Sequence, residues 1–350
     1  VALNENKNNL ENVEYLIETK NLCVDFMTPI GVLRAVDHLD FGIPANQITG
    51  LVGESGSGKT TFTDALLRTV SNPGEITKGE IIFEGKDIMK LSNDEVRAYK
   101  WRDIAKVFQA AQNCLNPSMS IGDQFIETYL THNKEMNKQE ILDRSAELLR
   151  GVRLDPERIL RSYPHELSGG MKQRVMIAFA QILQPPVLIL DEPTTALDVI
   201  TQAYIFSLLT EIHKETNTTM FLSTHDIAVV AKFCDNMAVM YAGTVVEFGD
   251  VYEMFLNPKH PYTKSLIEAV PSVVGELKER VAIPGGAVNL MDLDDPGCRF
   301  YGRCANRSDK CSQVKPVKTD LGNGHYVFCH HPVGEENSVA EGGIEHEPAN

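Results

Sequence analysis

No run of about 18 consecutive apolar residues occurs in these 350 residues, which excludes a bilayer-spanning helix. Residues 1–14 are rich in Asn and Glu and hold no apolar h-region, so no secretory signal is read there. Basic charge is scarce. Against 48 Asp and Glu stand 33 Lys and Arg, and the net −15 argues against nucleic-acid binding as the main role. No internal repeat occurs, which excludes a solenoid or tandem array. The seven cysteines include no C-x-x-C pair, so a zinc ribbon fits poorly.

What is present suits an ordinary globular chain: 43% apolar and 23% charged residues, with length for two domains or one plus an extension. Five of the acids lie in residues 333–350, which hold no Lys or Arg, and that tail reads as disordered. The odd cysteine count without a signal points to a reducing compartment. Clustered cysteines there mean metal more often than disulfide.

The run Gly53-Glu54-Ser55-Gly56-Ser57-Gly58-Lys59-Thr60 is a complete G-x-x-x-x-G-K-[ST] pattern. It follows an apolar run, 48–52, and precedes a helical pattern, 61–70, that stops at Pro73-Gly74. A phosphate loop needs that strand–loop–helix context. The backbone amides from Gly53 through Ser55, Gly56 and Gly58 would cradle the α- and β-phosphates. The helix start at Thr61 points its positive end at the same anion. Lys59 would reach the β/γ-phosphates and Thr60 would hold Mg²⁺. A flexible Gly/Ser turn is the blander reading.

Short strands are expected at 22–26, 48–52 and 79–83, and an inserted, charged helical segment at 121–161. Apolar runs at 187–190 and 218–223 read as central parallel strands, with helices at 200–214 and 227–233 beside them. Residues 237–241 and 244–248 read as a hairpin around Ala242-Gly243. Five prolines then punctuate a loop-rich extension.

The strand at 187–190 ends in Asp191-Glu192. Asp191 fits a Mg²⁺-orienting role, and Glu192 fits a base that polarises the attacking water. Leu167-Ser168-Gly169-Gly170-Met171-Lys172-Gln173-Arg174 opens a helix and forms a second anion site, or simply an N-cap. Together these motifs resemble ABC-type ATPases over about residues 15–255, in that family's order. The resemblance implies an α/β P-loop NTPase fold: a RecA-like core, an antiparallel β subdomain and a helical signature subdomain at about 110–182. It implies that Phe26 stacks on adenine and that Gln109 senses Mg²⁺ and the membrane subunit. Asp198, in Ala196-Leu197-Asp198, would cross to a partner ATPase, and His225 would contact the γ-phosphate. Ser168, Gly169 and Gly170 would close on the partner's ATP. Catalysis would fall to Glu192, His225 and Lys59.

Asn257-Pro258-Lys259-His260-Pro261-Tyr262-Thr263, Ile283-Pro284-Gly285 and the segment from Gly297 to Cys304 resemble the oligopeptide/dipeptide permease ATPases. The resemblance then reaches about Pro332. It departs at Ala110-Ala111-Gln112-Asn113-Cys114-Leu115, where an Asp-Pro-rich sequence is usual. Cys298, Cys304, Cys311 and Cys329 are separated by 5, 6 and 17 residues. The subfamily implies a [4Fe–4S] cluster on these four cysteines. Structural Zn²⁺ and reduced free thiols stay open. His325, His330 and His331 are further candidate ligands, or exposed loop residues. The organisation expected is a flexible tail at 1–14, an ABC ATPase domain at 15–255, a four-cysteine extension at 256–332 and an acidic tail at 333–350. The extension is expected to lack a core of its own and to lie far from the phosphate loop.

The function implied is ATP hydrolysis energising an importer of peptides, with nickel or oligosaccharides as alternative solutes. The implied partners are two transmembrane permease subunits, a second and related ATPase, and an extracytoplasmic substrate-binding protein, with no nucleic acid. The place of work would be the cytoplasmic face of the membrane. A soluble ABC ATPase acting in DNA, ribosome or Fe–S assembly work is the alternative. Only 108 residues separate Lys59 from Ser168, without sustained heptads, which leaves no room for the long coiled coil of DNA-repair members. A non-catalytic metal-binding regulator is a third reading, and intact Lys59, Asp191, Glu192 and His225 argue against it.

Overall fold

The computed structural model describes residues 14–109, 114–195, 197–269, 285–286, 290–291 and 296–334. The expected N-terminal tail apart from Glu14, the acidic tail beyond Gly334, Ala110 to Asn113, Ala196 and Ile283-Pro284 lie outside them.

The chain opens with two long strands, β1 (Tyr15–Thr28) and β2 (Gly31–Pro44), then β3 (Ile48–Val52) and α1 (Lys59–Leu66). Next come β4 (Gly74–Phe83), β5 (Lys86–Asp87), α2 (Asn93–Arg102) and β6 (Ile104–Val107). The helical segment holds α3 (Ile121–His132), α4 (Lys138–Gly151), α5 (Pro156–Arg161) and α6 (Gly169–Ala180). It is followed by β7 (Val187–Asp191), α7 (Val199–Thr216), β8 (Thr219–Thr224), α8 (Ile227–Phe233), β9 (Asn236–Tyr241) and β10 (Thr244–Asp250). The described end comprises α9 (Val251–Leu256), α10 (Pro261–Glu268), α11 (Asp309–Gln313), β11 (Lys318–Asp320) and β12 (Tyr326–Phe328).

β3, β7, β8 and β9 are buried at every residue, as parallel strands covered on both faces must be. They sit within an eight-stranded sheet ordered β11-β12-β10-β9-β3-β8-β7-β6, parallel from β9 to β6. A separate antiparallel sheet runs β2-β1-β4-β5. Its first strands are 14 residues each rather than the short run expected at 22–26. Register shifts bend the β1–β2 pair, and pairing along both edges of β1 sustains a length that hydrophobic alternation alone does not signal.

α1 lies between the two sheets. Its Phe62 is fully buried, with ring centroids 6.1 Å from Phe41 of β2 and 5.9 Å from Phe221 of β8. The helical arm is capped by local chemistry. Ser120 and Asp155 cap α3 and α5, and Asn137 with Glu140 forms a capping box on α4. Phe125 of α3 stacks on Phe179 of α6 at 3.9 Å and ties the arm to the helix that returns to the sheet.

Among the described residues the extension forms no separate apolar cluster and shares those of the ATPase. Phe300 and Tyr326 are buried in its two apolar clusters, and β12 pairs antiparallel with β10. Buried Glu247 of β10 gathers the backbone N–H of Lys259 at 2.7 Å, that of His260 at 2.8 Å, and His325 Nε2 at 2.9 Å. His325 is therefore a buried partner of Glu247 through Nε2, which corrects its reading as an exposed loop residue. Burial pushes the His260 pKa down to about 4, against the pull of Glu247. Its Nδ1 accepts the Tyr262 N–H, as neutral imidazole can.

Candidate active site

The phosphate loop leaves β3 under tight steric limits. A Cβ on Gly53 would run into the carbonyl of Met240, and one on Gly58 into that of Ala35. Gly58 has φ +102° and caps α1 without a side-chain hydrogen bond, so the first amides of α1 are free of a competing side-chain acceptor. Ser55 and Gly56 are exposed, and Gly56 meets open space. Among the described residues, buried Ser57 Oγ has no hydrogen-bond partner. Lys59 folds back on the loop, donating to the carbonyls of Gly53 at 2.8 Å and Glu54 at 3.0 Å. Burial lowers the Lys59 pKa, while Glu192, Asp191 and Glu54 pull it up. An unpaired hydroxyl, uncapped amides and a buried ammonium fit a phosphate chain.

Thr60 Oγ1 donates to Asp191 Oδ1 at 3.3 Å, and Thr61 follows, half-buried, in the first turn of α1. A hydroxyl beside a carboxylate is an oxygen donor set suited to Mg²⁺. Sequence reasoning missed Lys106. Its ammonium lies 2.9 Å from Asp191 Oδ2, 2.7 Å from Asp64 Oδ1 and 2.9 Å from Thr63 Oγ1. The available signal was a lone Lys inside the apolar strand β6.

Glu192 follows β7 with φ +45°, and the Ser223 carbonyl holds its N–H at 2.8 Å. That conformation carries its carboxylate to three donors, one from its own turn and one each just beyond β8 and β6. His225 Nδ1 lies at 3.0 Å, Gln109 Nε2 at 3.1 Å and Thr195 Oγ1 at 3.1 Å. Burial works to raise the Glu192 pKa, but the His225 and Thr195 hydrogen bonds outweigh it, so the group sits below its ordinary value. Gln109 thus rests on Glu192, with Asp191 held instead by Thr60 and Lys106.

Phe26 of β1 packs its ring over Gly74 and belongs to the fringe of an apolar cluster. Ser168 caps α6, its Oγ accepting the Met171 N–H at 3.3 Å, and Gly169 and Gly170 form the first turn. Among the described residues no hydrogen bond joins Ser168, Gly169 or Gly170 to the phosphate loop. Asp198 caps α7 and bonds Thr201 Oγ1 at 2.7 Å, which holds its exposed carboxyl below the usual range. Val199 and Ile200 beside it are strongly exposed.

Burial pushes Cys329 up to about 12, and the charges of Cys298, Cys304 and Cys311 add to this. Burial likewise raises Cys298 to about 11, and raises Cys304. Cys298 N–H donates to the Cys311 carbonyl at 2.7 Å. Among the described residues no three of these sulfurs lie within 4.8 Å of one another. Tetrahedral Zn–S bonds of about 2.3 Å would draw the sulfurs to about 3.8 Å. A larger iron–sulfur cluster holds its thiolates wider. His330 bonds the Val314 carbonyl and His331 bonds Ser308. Cys23, Asp37 and His38 also bring donors within 4.8 Å. Arg34, Arg299 and Lys315 already neutralise Asp37 there, so a cation has little to gain.

A phosphate loop at the carboxyl edge of a parallel sheet, with an acid pair after β7 and with Gln109 and His225 just beyond β6 and β8, defines an ATP-hydrolysing cassette. The chain matches the ABC transporter family over residues 36–195 and the "Oligopeptide/dipeptide transporter, C-terminal region" family over residues 246–311. It is 41% identical to a dipeptide transport ATP-binding protein, DppD, of Caldanaerobacter subterraneus, over 90% of this chain and 96% of that protein. It is 42% identical to the oligopeptide transport ATP-binding protein OppD of Haemophilus influenzae, again over 90% and 96%. Among solved structures, the ATP-binding cassette MJ0796, a dimer in a post-hydrolysis state bound to ADP and Pi, superposes with TM-score 0.60 at 28% identity. That match covers 67% of this chain and 98% of the other. The chain belongs to the ABC transporter ATPases, in the family of dipeptide and oligopeptide transport ATP-binding proteins, and is an ATPase. Among the described residues no helix is long and apolar enough to cross a membrane.

Proposed function

We propose that this chain is the ATP-hydrolysing subunit of a peptide importer. It works at the cytoplasmic face on two transmembrane permease subunits, with a related second ATPase and an extracytoplasmic substrate-binding protein. The observation that carries the peptide reading is the C-terminal family match over residues 246–311, on top of an intact hydrolytic set. Reconstitution with its permeases is the test. Peptide-loaded binding protein should stimulate ATP turnover, and stimulation by nickel or an oligosaccharide instead would overturn the peptide assignment.

The organisation proposed is an ATPase at about 15–255, with its helical subdomain at about 110–182, and an extension to about 332. Phe26 stacks on adenine, and the amides from Gly53 to Thr61 and Lys59 hold the phosphates. Thr60, Asp191 and Gln109 take Mg²⁺, which supplies charge neutralisation on the phosphate oxygens when bound. Glu192 takes a proton from water as the water oxygen bonds to the γ-phosphorus. The bond to the β-phosphate oxygen breaks, and the electron pair leaves with ADP. His225 holds Glu192 and contacts the γ-phosphate.

Ser168, Gly169, Gly170 and Asp198 act across the dimer. Supporting this, the α6 start makes no hydrogen bond to its own phosphate loop among the described residues. Gly170→Asp should leave MgATP affinity of the separate chain within about twofold yet abolish ATP-dependent dimer crosslinking. Loss of binding by the separate chain would assign Gly170 a structural role.

Cys298, Cys304, Cys311 and Cys329 hold a [4Fe–4S] cluster, with Zn²⁺ as the alternative. What supports the cluster is the donor set: four free cysteines, buried or half-buried, gathered in one extension. Anaerobic purification should give brown protein absorbing near about 400 nm, with iron and sulfide in equal amounts. Colourless protein with one zinc would replace the cluster, and metal-free protein would remove both.

A further inference from the structure

Arg303, next to Cys304 in the extension, reaches the phosphate loop itself, which overturns the expectation that the two lie far apart. Its guanidinium grips the Glu54 carboxylate at both oxygens, Nη1 to Oε2 at 2.7 Å and Nη2 to Oε1 at 2.9 Å. Paired planar forks of this kind are among the strongest side-chain contacts and fix orientation as well as distance. The Arg303 side chain is 8% exposed, against 32% for Glu54, so the pair is screened far less than a surface one. Its stem and head are packed by aromatics: the guanidinium lies 5.7 Å from the Tyr241 ring centre and 6.0 Å from that of Phe300. Tyr262 of α10 completes the grip. Its hydroxyl accepts the Glu54 backbone N–H at 3.0 Å, and its ring contacts Tyr241 and Phe300 at 4.6 and 5.3 Å.

Glu54 is the second residue of the loop, and its backbone carbonyl accepts from Lys59 Nζ at 3.0 Å. The Glu54 carboxylate is near enough to Lys59 to pull its pKa up, so left unneutralised it would compete with the phosphates for that ammonium. We infer that Arg303 is a positioning residue for ATP. It cancels the Glu54 charge and, with Tyr262, fixes the first turn of the phosphate loop, so that nucleotide affinity depends on the seating of the cysteine extension. This rests on the reading of Gly53 to Thr60 as the phosphate site.

The structure gives the pairing a signature in binding that mere scaffolding would not share. With Glu54 present, Arg303→Gln leaves an anion competing for Lys59, and the Kd of the full chain for MgATP should rise about tenfold. With Glu54→Gln already in place no such anion remains, and adding Arg303→Gln should change Kd by less than about twofold. Titration calorimetry with MgATP on the two single variants and the double variant measures this directly. An unchanged Kd in Arg303→Gln, or an equal loss in both backgrounds, would overturn the proposal. Should Arg303→Gln fold poorly, Arg303→Lys keeps the charge but loses the fork, and carries the same comparison with an expected rise of about threefold. Lys59→Ala serves as the separate control. If it too leaves binding intact, the phosphate-site reading fails rather than the Arg303 inference alone.

Discussion

Glu192→Gln is expected to cut ATP turnover by about 100- to 10,000-fold while MgATP still binds. The substitution keeps size and shape but removes the site that takes the water's proton. Glu192 is suited to that role by its environment. Three donors, from His225, Gln109 and Thr195, converge on its two oxygens. The His225 and Thr195 bonds hold its pKa below the ordinary carboxylate value, so they orient the carboxylate toward the water rather than strengthen it as a base. With its oxygen turned to Thr195 and Gln109, the amide of Gln can still accept from both and donate its NH2 to the neutral ring of His225, so binding geometry should persist. ATP-loaded dimers should then accumulate, because closure no longer ends in hydrolysis. Steady-state phosphate release and size-exclusion chromatography with ATP measure the two effects. Turnover within about threefold of the unaltered protein would remove Glu192 from the chemistry.

The phosphate loop, the acid pair and the strands beneath them were legible because each is local. An apolar run marks a buried strand, and glycines mark a turn that no other residue can make. The contacts that set the site's electrostatics were not local. Lys106 lies 85 positions before Asp191 in sequence, and Arg303 lies 249 beyond Glu54. Only the parallel β6–β7 pairing and the return of the extension over β10 bring those charges together. The extension was misjudged as remote for the same reason. Few apolar residues suggest that a segment cannot fold alone, but they do not say whose core it borrows. His325 illustrates this: in a loop-like sequence it reads as exposed, and β10 supplies the buried carboxylate that takes it in.

Lys106→Met is expected to destabilise the fold by about 3–5 kcal/mol, the range for breaking a buried ion pair from one side. The Lys106 and Asp191 side chains are 1% and 2% exposed, and Lys106 also binds Asp64 and Thr63. Removing the ammonium leaves Asp191 as a buried carboxylate next to Glu192, with no fixed cation in contact. The Arg153–Glu211 pair provides the contrast. Its side chains are 56% and 45% exposed, and Arg153→Met should cost less than about 1 kcal/mol. Urea unfolding without nucleotide measures both losses. Saturating MgATP should shrink the Lys106→Met deficit more than that of Arg153→Met, because a divalent cation at Thr60 and Asp191 restores the missing positive charge. A Lys106→Met loss below about 1 kcal/mol would show that Asp191 does not depend on this lysine. An equal deficit with and without MgATP would mean that no cation comes to Asp191 with the nucleotide, and would move Mg²⁺ off that carboxylate.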